Sequence, residues 1–504
     1  MIVPLDTVVV AGLDPAIHVS MRTRAAGVLV ALALFAAAPS AFAAAADDFN
    51  AAAQAFQADR LPLAIELYTS AINSREFTGE PLANVFFNRA LVYERLNDFA
   101  KALADYQSFH ELVPDDPDGP DRIAIVAVGM KRFAEARPAL EFLIERFPNA
   151  LPRRRWEIIQ VARADQMAGR WAEADALLAR YARIDSRDNP VRLARARSAA
   201  AVGNTRQALD LLRSIDNQYT LVLARADKGF EPLWNNPDFI IATDLGTHFQ
   251  RELARLERET ARQPALLGFV VQWMATLRRA GAPGDAALLG EEALALLAQY
   301  VDRQDYEHWL YNEIALAARL LGDQAGAEHA YRAGIDALGM TSVDAVNLLL
   351  NGGTFLARET DRYRDAVDFA TQAERLGASP FGLMVARGIR VAAAVGLNRQ
   401  ADIDRALGEM TARVTDNAVE VIEALLLADR FEAAATLVAE QLADPASIDV
   451  VLIALQRIVE RPPAMSMAGQ TIESGWDQLR GHPKVTAALS RVGRITEVAA
   501  TTAF

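Results

Sequence analysis

The chain has 504 residues and no cysteine, which excludes disulfides, thiolate metal sites, a cysteine nucleophile and the lipidation that anchors a lipoprotein. Its formal net charge of -13 and sequence pI near 5.1 argue against a nucleic-acid partner, which would require a basic face. The length accommodates two or three ordinary domains or one extended array of repeats.

The N-terminal segment has the pattern of an export signal. From Met21 the chain reads MRTR, then the apolar run AAGVLVALALFAAA, then PSAFA, which ends in small residues at Ala41 and Ala43. The apolar run is shorter than the ~20 residues that a membrane-spanning helix needs. The pattern therefore predicts a signal peptide over residues 1–43, a true start at Met21, and a periplasmic or secreted product without a stable membrane anchor.

Residues 83–116 predict a pair of short helices. Phe86, Ala90 and Tyr93 share one face of the first helix, at i, i+4 and i+7. After a short break, Asp98 can cap the second helix by accepting hydrogen bonds from its free N–H groups. The inner face of the second helix carries Phe99, Ala102, Leu103 and Tyr106, and Pro114 ends it.

This pair resembles the tetratricopeptide repeat (TPR), which has small residues where its two helices cross and bulky residues beside them. Ala90 and Ala102 occupy the crossing positions, because a small side chain lets two helix axes approach to ~8–10 Å. The bulky positions carry Phe86, Tyr93, Phe99 and Tyr106.

The pattern recurs along the chain. Ala102 and Ala136 stand 34 positions apart, and so do Ala174 and Ala208. With a weaker first repeat and a degenerate pair over 263–300, the sequence predicts roughly ten helix pairs. The alternative is a bundle of unrelated amphipathic helices. Further crossing residues are expected at Ala64, Ala327, Ala366, Ala401 and Ala434.

The resemblance implies an all-α fold, an α-solenoid in which TPR helix-turn-helix pairs stack into a right-handed superhelix. Because the repeat pattern breaks near residue 222, we expect two arrays joined by a connector. The predicted segments after the signal are an N-terminal TPR array over 44–222, a connector with a capping helix over 223–262, a C-terminal TPR-like array over 263–460 and a C-terminal capping segment over 461–504.

Two segments of equal spacing are candidates for the caps that cover the open apolar face at a solenoid end. Chance similarity between two proline-punctuated helices is the alternative. The first segment carries Phe230, Leu233, Pro237 and Phe239, and the second carries Trp476, Leu479, Pro483 and Val485.

The sequence predicts no catalytic, cofactor-binding or metal site. It contains no Gly-rich phosphate loop, no GxSxG and no HExxH. Glu473-Ser474 matches the dipeptide that holds the catalytic glutamate of soluble lytic transglycosylases, which also carry α-superhelices. Only 30 residues follow Ser474, too few for the lysozyme-like domain of that family.

In TPR folds the first helices of successive pairs line a concave groove that holds the ligand. Aromatic and arginine side chains there are favoured interface anchors, and the mixture here suggests a peptide or helix of mixed polarity. Carried over by position, the resemblance assigns to the groove Asn84, Phe87, Asn88, Leu91, Glu94 and Arg95, then Trp156, Ile159, Arg163 and Gln166, then Trp309, Asn312, Leu316 and Arg319.

We therefore expect a non-catalytic scaffold or adaptor that binds protein or peptide partners of the bacterial envelope in this groove. One alternative is a glycan-binding module in cell-wall or exopolysaccharide handling, with Trp156 and Trp309 stacking on sugars. A second alternative is an α-superhelical cell-wall enzyme. The sequence leaves the identity of the partner and the oligomeric state open.

Overall fold

The computed structural model describes residues 40–149, 154–339, 342–458 and 466–498. The predicted signal peptide lies outside these ranges, except for its last four positions, which begin the first helix. The described chain is almost entirely α-helical and forms two compact units that divide between Ser198 and Ala199. No helix within the described ranges is long and apolar enough to cross a membrane.

The N-terminal unit consists of four helix pairs and the first helix of a fifth. Buried apolar side chains of the second to fourth pairs and of the first helix of the fifth form one continuous core that reaches from Ala90 to Ala194. The helices are α1 Ser40–Gln57, α2 Leu61–Asn73, α3 Gly79–Arg95, α4 Phe99–Leu112, α5 Asp118–Gly129, α6 Phe133–Arg146, α7 Arg155–Met167, α8 Trp171–Tyr181 and α9 Asn189–Ala201, the last of which continues past Ser198.

The C-terminal unit begins with α10 Thr205–Arg213, the second helix of the fifth pair, and α11 Gln218–Ala226. The rest of the predicted connector comprises a 3-10 helix Lys228–Leu233, α12 Pro237–Ala242 and α13 Leu245–Arg262. Five helix pairs follow: α14 Leu267–Arg279 with α15 Pro283–Ala295, α16 Arg303–Leu320 with α17 Gln324–Leu338, α18 Ala345–Arg358 with α19 Tyr363–Arg375, α20 Pro380–Gly396 with α21 Gln400–Thr411, and α22 Ala418–Leu427 with α23 Phe431–Gln441. Short 3-10 helices lie at Leu297–Gln299 and Val414–Asp416. The unit ends with α24 Ile448–Ala454, β1 Arg457–Ile458, α25 Met467–Gly481, α26 Pro483–Val492 and β2 Glu497–Val498.

Within each unit, helices pack against their neighbours along the chain, and successive first helices also contact each other. In the C-terminal unit this holds for α14 with α16, α16 with α18, α18 with α20, and α20 with α22. A continuous row of first helices therefore lines one side of the stack. This arrangement is the α-solenoid of TPR-like helix pairs that the sequence predicts.

Each pair turns through a residue with a left-handed backbone. In the second pair that residue is Asn97, with a φ of 59°, and the N–H of Asp98 donates to the carbonyl of Tyr93 at 2.9 Å. This is the Schellman ending, which satisfies carbonyl groups that the last helical turn leaves free. The side chain of Asp98 then accepts from the N–H of Lys101, as the sequence predicts. The corresponding left-handed residues of the other pairs are Asp59, Lys131, Gly169, Gly203, Gly281, Gly322, Asp361, Asn398 and Asp429.

The fifth residue after each left-handed residue is the point of helix crossing. It is a fully buried alanine in nine of the ten pairs and Ile403, 6% exposed, in the other. The predicted crossing residue Ala401 is exposed, so that prediction is wrong. The distance from the turn at Asn398 selects the crossing position, whereas Ala401 is only the nearest small residue. The nine alanines are Ala64, Ala102, Ala136, Ala174, Ala208, Ala286, Ala327, Ala366 and Ala434.

We expect Ala102→Leu to destabilise the N-terminal unit by about 1–3 kcal/mol, because added methyl groups at a filled crossing force the helices apart. Ala100→Leu lies on the same helix at an exposed position and should change stability by less than about 0.5 kcal/mol. Denaturant titration followed by far-UV circular dichroism measures both. Equal midpoints for the two variants would show that the crossing is not tightly packed.

The two ends of the C-terminal unit are joined to each other. Gly493 forms an antiparallel bridge with Asp227, and the N–H of Arg494 donates to the carbonyl of Ala226 at 2.8 Å. The guanidinium of Arg494 lies 4.0 Å from the ring centroid of Trp234, within the range of a cation–π contact. Strand β2 pairs in parallel with β1. The last residues described thus close back on the connector, which the sequence did not indicate.

This closure brings both predicted capping segments into one unit. Their aromatic and aliphatic residues are all buried, and the rings of Phe230 and Phe239 lie 5.8 Å apart. The 3-10 helix that contains Phe230 also contacts α26. The buried residues are Phe230, Leu233 and Phe239 in the connector, and Trp476, Leu479 and Val485 near the C-terminus.

A buried histidine lies on α13 of the C-terminal unit. His248 is 4% exposed, and its ring lies 5.5 Å from that of Phe249. Burial lowers its pKa from the ordinary 6.5 to about 4, against the opposing charge of nearby Glu252. The folded protein thus holds His248 neutral at a pH where the unfolded chain binds a proton.

The contribution of His248 to the free energy of unfolding is fully present above pH 6.5 and is lost as the pH falls from 6.5 towards 4. At about pH 5 the loss amounts to about 2 kcal/mol. Between about pH 7.5 and pH 5, we expect the unfolding free energy of His248→Gln to fall by about 2 kcal/mol less than that of the wild type. Denaturation of both proteins at the two pH values tests this, and equal pH dependence would contradict it.

Candidate partner-binding surface

Helix α3 presents two amides on adjacent turns of its exposed side. Asn84 and Asn88 are both half-buried, and the Nδ2 of Asn88 donates to the carbonyl of Asn84 at 2.7 Å. This bond fixes the orientation of the Asn88 amide. A partner's backbone could therefore meet a preset hydrogen-bonding group here.

Two apolar residues of α3 contribute more to packing than to an open surface. The ring of Phe87 lies 5.3 Å from that of Tyr106 and 5.0 Å from that of Phe109, both on α4. Leu91 packs against the same core. Both residues remain half-buried, so only their outer edges are available to a partner.

The C-terminal end of α3 is charged and linked to neighbouring helices. Glu94 accepts a hydrogen bond from the hydroxyl of Tyr106 at 2.5 Å and lies 3.5 Å from a guanidinium nitrogen of Arg122 on α5. Burial raises the pKa of Tyr106, so its hydroxyl stays protonated as the donor. Arg95 is exposed and lies 3.1 Å from the carboxylate of Asp59, a surface pair that water screens strongly.

The first turns of α7 present an aromatic and an aliphatic side chain. Trp156 and Ile159 are both half-buried and lie three positions apart on the helix. The indole N–H of Trp156 has no partner among the residues that the structure describes. A partly exposed tryptophan with a free donor is well suited to anchor a protein partner.

The last two predicted residues of α7 are buried. Arg163 is 6% exposed and Gln166 is 2% exposed. The amide of Gln166 donates to the carbonyl of Ala194 at 2.7 Å and to the hydroxyl of Ser198 at 2.9 Å, which ties α7 to α9. Gln166 therefore contributes to helix packing in this structure.

Two of the predicted residues on α16 are also buried. Trp309, 9% exposed, belongs to a hydrophobic core with Val270 and Met274. Asn312, 1% exposed, accepts a hydrogen bond from Asn351 on α18 at 2.8 Å. The glycan-binding alternative requires Trp309 to stack on a sugar, but the buried Trp309 has little surface available for this.

Ion pairs connect the first helices of the C-terminal unit. Arg278 on α14 pairs with Glu313 on α16 at 2.9 Å, and both side chains are buried. Arg319, half-buried on α16, pairs with Glu359 at the end of α18 and donates to the hydroxyl of Tyr331 at 3.2 Å. These arginines are therefore engaged within the chain.

The next ion pair spans two helix pairs. Arg358 at the end of α18 pairs with Glu420 and Glu423 on α22, at 2.7 Å for Glu423. Burial and the neighbouring Glu423 raise the pKa of Glu420 to about 7, and the charge of Arg358 opposes this. Gly388 on the intervening helix α20 leaves the room for this pair, because a Cβ there would overlap the Glu420 carboxylate and lie 3.0 Å from Arg358 Nη2.

We expect Gly388→Ala to destabilise the C-terminal unit by about 3 kcal/mol, because the methyl group displaces a buried ion pair. Gly408→Ala on α21 is the matched control. It has no neighbour within 4 Å and should stabilise by up to about 1 kcal/mol. Thermal melting of the two variants compares them, and equal shifts would show that the pair needs no space at Gly388.

Helix α25 covers part of the row of first helices in the C-terminal unit. It contacts α18 and α22, and the indole of Trp476 donates to Glu423 at 3.3 Å. The hydroxyl of Ser466, just before α25, donates to the carbonyl of Arg358. The side of the stack where a TPR ligand would lie is thus occupied here by the chain itself.

The groove positions assigned by resemblance therefore fall into two groups, and their contact with a partner stays a prediction. The buried residues are Arg163, Gln166, Trp309 and Asn312. The half-buried or exposed residues are Asn84, Phe87, Asn88, Leu91, Glu94, Arg95, Trp156, Ile159, Leu316 and Arg319.

No protein-family model and no curated protein matches this chain. Among solved structures, yeast Tom70 is 11% identical over 88% of this chain and 99% of its own, with a TM-score of 0.33. The TPR domain of P58(IPK) is 14% identical over 71% of this chain and 99% of its own, with a TM-score of 0.21. Human IFIT1, solved as a dimer with m7Gppp-AAAA, is 14% identical over 81% of this chain and 88% of its own, with a TM-score of 0.28. Similarity at this level does not indicate a partner.

Proposed function

We propose that this chain is an exported, non-catalytic scaffold that binds a protein or peptide of the bacterial envelope on the first helices of its N-terminal unit. The observation that carries the proposal is the pair of half-buried residues Trp156 and Ile159 on α7, in the same row of first helices as the half-buried amides of α3. The signal pattern over residues 1–43 supports export and an envelope setting.

The chemistry of these side chains favours a partner segment of mixed polarity. Asn84 and Asn88 offer amide groups to a polar backbone, and Trp156 offers a large apolar area together with an N–H donor. The Glu94–Arg122 pair provides a charged site whose members already neutralise each other. A short helix or extended peptide with one apolar anchor fits this combination better than a polyanion.

The C-terminal unit supports the placement of the partner on the N-terminal unit. Trp309 and Asn312 are buried, Arg319 is ion-paired, and α25 lies over α18 and α22. Fewer groups are left there for an external ligand.

We expect Trp156→Ala to abolish capture of the partner while the protein stays helical. Crosslinking in intact cells followed by mass spectrometry measures the capture. Trp171→Ala is the matched control, since Trp171 is also half-buried but begins the second helix of the same pair. The chain lacks cysteine, so a single Asn88→Cys substitution also places one crosslinker directly on the surface.

Envelope proteins captured by the wild type and by Trp171→Ala, but not by Trp156→Ala, would support the proposal. Equal capture by all three proteins would place the partner elsewhere. Recovery of glycan alone, unchanged in both variants, would overturn the protein-binding function.

A further inference from the structure

Helix α25 has the contact pattern of a ligand lying in a groove. Its buried residues recur at i, i+4, i+7, i+8 and i+11, which is one face of an α-helix. The opposite side is in solvent, where Met467 is 68% exposed and Ser474 and Asp477 are also exposed. Helices bound in hydrophobic grooves show this spacing of anchors. The buried residues are Ala468, Ile472, Gly475, Trp476 and Leu479.

Helix α25 contacts first helices of more than one repeat, and it also contacts the second helix α23 and the following helix α26. Besides the neighbouring α22, the helix contacts α18, which lies two helix pairs earlier. The hydroxyl of Ser466 caps α25 by accepting from the N–H of Gly469 at 2.9 Å, and the same hydroxyl donates to the carbonyl of Arg358 on α18. The N-terminal end of the helix is thus held at α18 and its middle at α22.

Two contacts in the middle of α25 define what the surface recognises. The indole N–H of Trp476 donates to Glu423, whose other oxygen is engaged by Arg358. Gly475 lies against Leu426, and a Cβ at that position would approach the Leu426 side chain to 2.8 Å. The surface therefore accepts a small residue followed by an aromatic donor.

The two carboxylates of this surface have an ionic partner that is independent of α25. Arg358 neutralises Glu420 and Glu423 without any atom of α25. If α25 left, Glu423 would lose one hydrogen bond and the apolar contact at Leu426 would be exposed. A surface of this kind can persist without its occupant and can bind another helix.

From these contacts we propose that the face of α18 and α22 is a second binding site, specific for an amphipathic helix with a small residue followed by tryptophan, and that α25 occupies it as an intramolecular competitor. A partner helix of the same chemistry displaces α25. The partner binds only molecules in which α25 has left the site. Its apparent affinity is therefore the intrinsic affinity multiplied by the fraction of molecules with an open site. This proposal concerns the C-terminal unit and does not depend on the partner of the N-terminal unit.

The test uses the full chain and a fluorescent synthetic peptide of residues 466–482 as the probe, with binding followed by anisotropy. Gly475→Leu should expel α25, because its side chain collides with Leu426. Gly481→Leu on the same helix is the control, since that position has no neighbour within 4 Å. We expect Gly475→Leu to bind the probe about tenfold more tightly or better than the wild type and Gly481→Leu. A probe peptide with Trp476→Ala should bind poorly to all three chains.

Hydrogen exchange measured by mass spectrometry locates the effect, and Trp476→Ala in the full chain serves as a milder second variant. Faster exchange confined to 466–481, together with probe binding, supports the proposal. Faster exchange that spreads through α18 and α22 in both variants identifies α25 as a structural cap and overturns it. Release of α25 without probe binding, or no release in either variant, overturns it as well.

Discussion

The close approach of two helices at each crossing is the constraint on which the rest of the structure depends. A methyl group is the largest side chain found at nine of the ten crossings, and each of these alanines is fully buried. The turn before each crossing places that alanine, because a left-handed residue followed by a Schellman hydrogen bond fixes how the second helix leaves the first. With turn and crossing fixed, the first helices of successive pairs come to lie side by side.

The first helices carry different side chains in the two units. In the N-terminal unit they carry half-buried amides, a tryptophan and an isoleucine. In the C-terminal unit the first helices carry ion pairs that link α14 to α16, α16 to α18 and α18 to α22. When a buried arginine pairs with a carboxylate, neither charged group is available to bind an external ligand, and burying the pair costs desolvation energy. The charged side chains of the first helices in the C-terminal unit therefore bind other residues of the same chain.

The sequence predicts the helix pairs well because their determinants are local. An asparagine, aspartate or glycine at the turn, replaced by Lys131 in one pair, and an alanine five positions later are visible without any knowledge of the fold. The failure at Ala401 follows from ignoring this distance, since Ile403 stands five positions after Asn398 and occupies the crossing. On either side of the connector, left-handed turns in consecutive pairs are 31 to 41 positions apart, so a fixed repeat length detects only some of the pairs.

The binding surface is less predictable than the fold. The sequence pattern of a helix does not distinguish a residue that lines the groove from one that packs against the next first helix. Trp309 and Asn312 occupy groove positions by register but are buried by neighbouring helices. The pairing of Arg358 with Glu420 joins residues 62 positions apart and leaves no periodic pattern. Gly388 is the one residue that hints at this ion pair in the sequence. A glycine inside a helix destabilises it, so its presence there indicates that another group needs the space.

The closure of the C-terminal unit gives α25 its position. Because Gly493 and Arg494 bind the connector at Asp227 and Ala226, the chain between β1 and β2 must return across the unit. Helix α25 lies in that returning segment, and Arg480 at its end donates to the carbonyls of Leu455 and Gln456 at 2.8 and 3.0 Å. A tethered helix held at both ends binds at a high effective concentration even through few contacts. The tether therefore gives α25 an advantage over a free helix with the same contacts, so that a free helix gains access mainly when α25 is released.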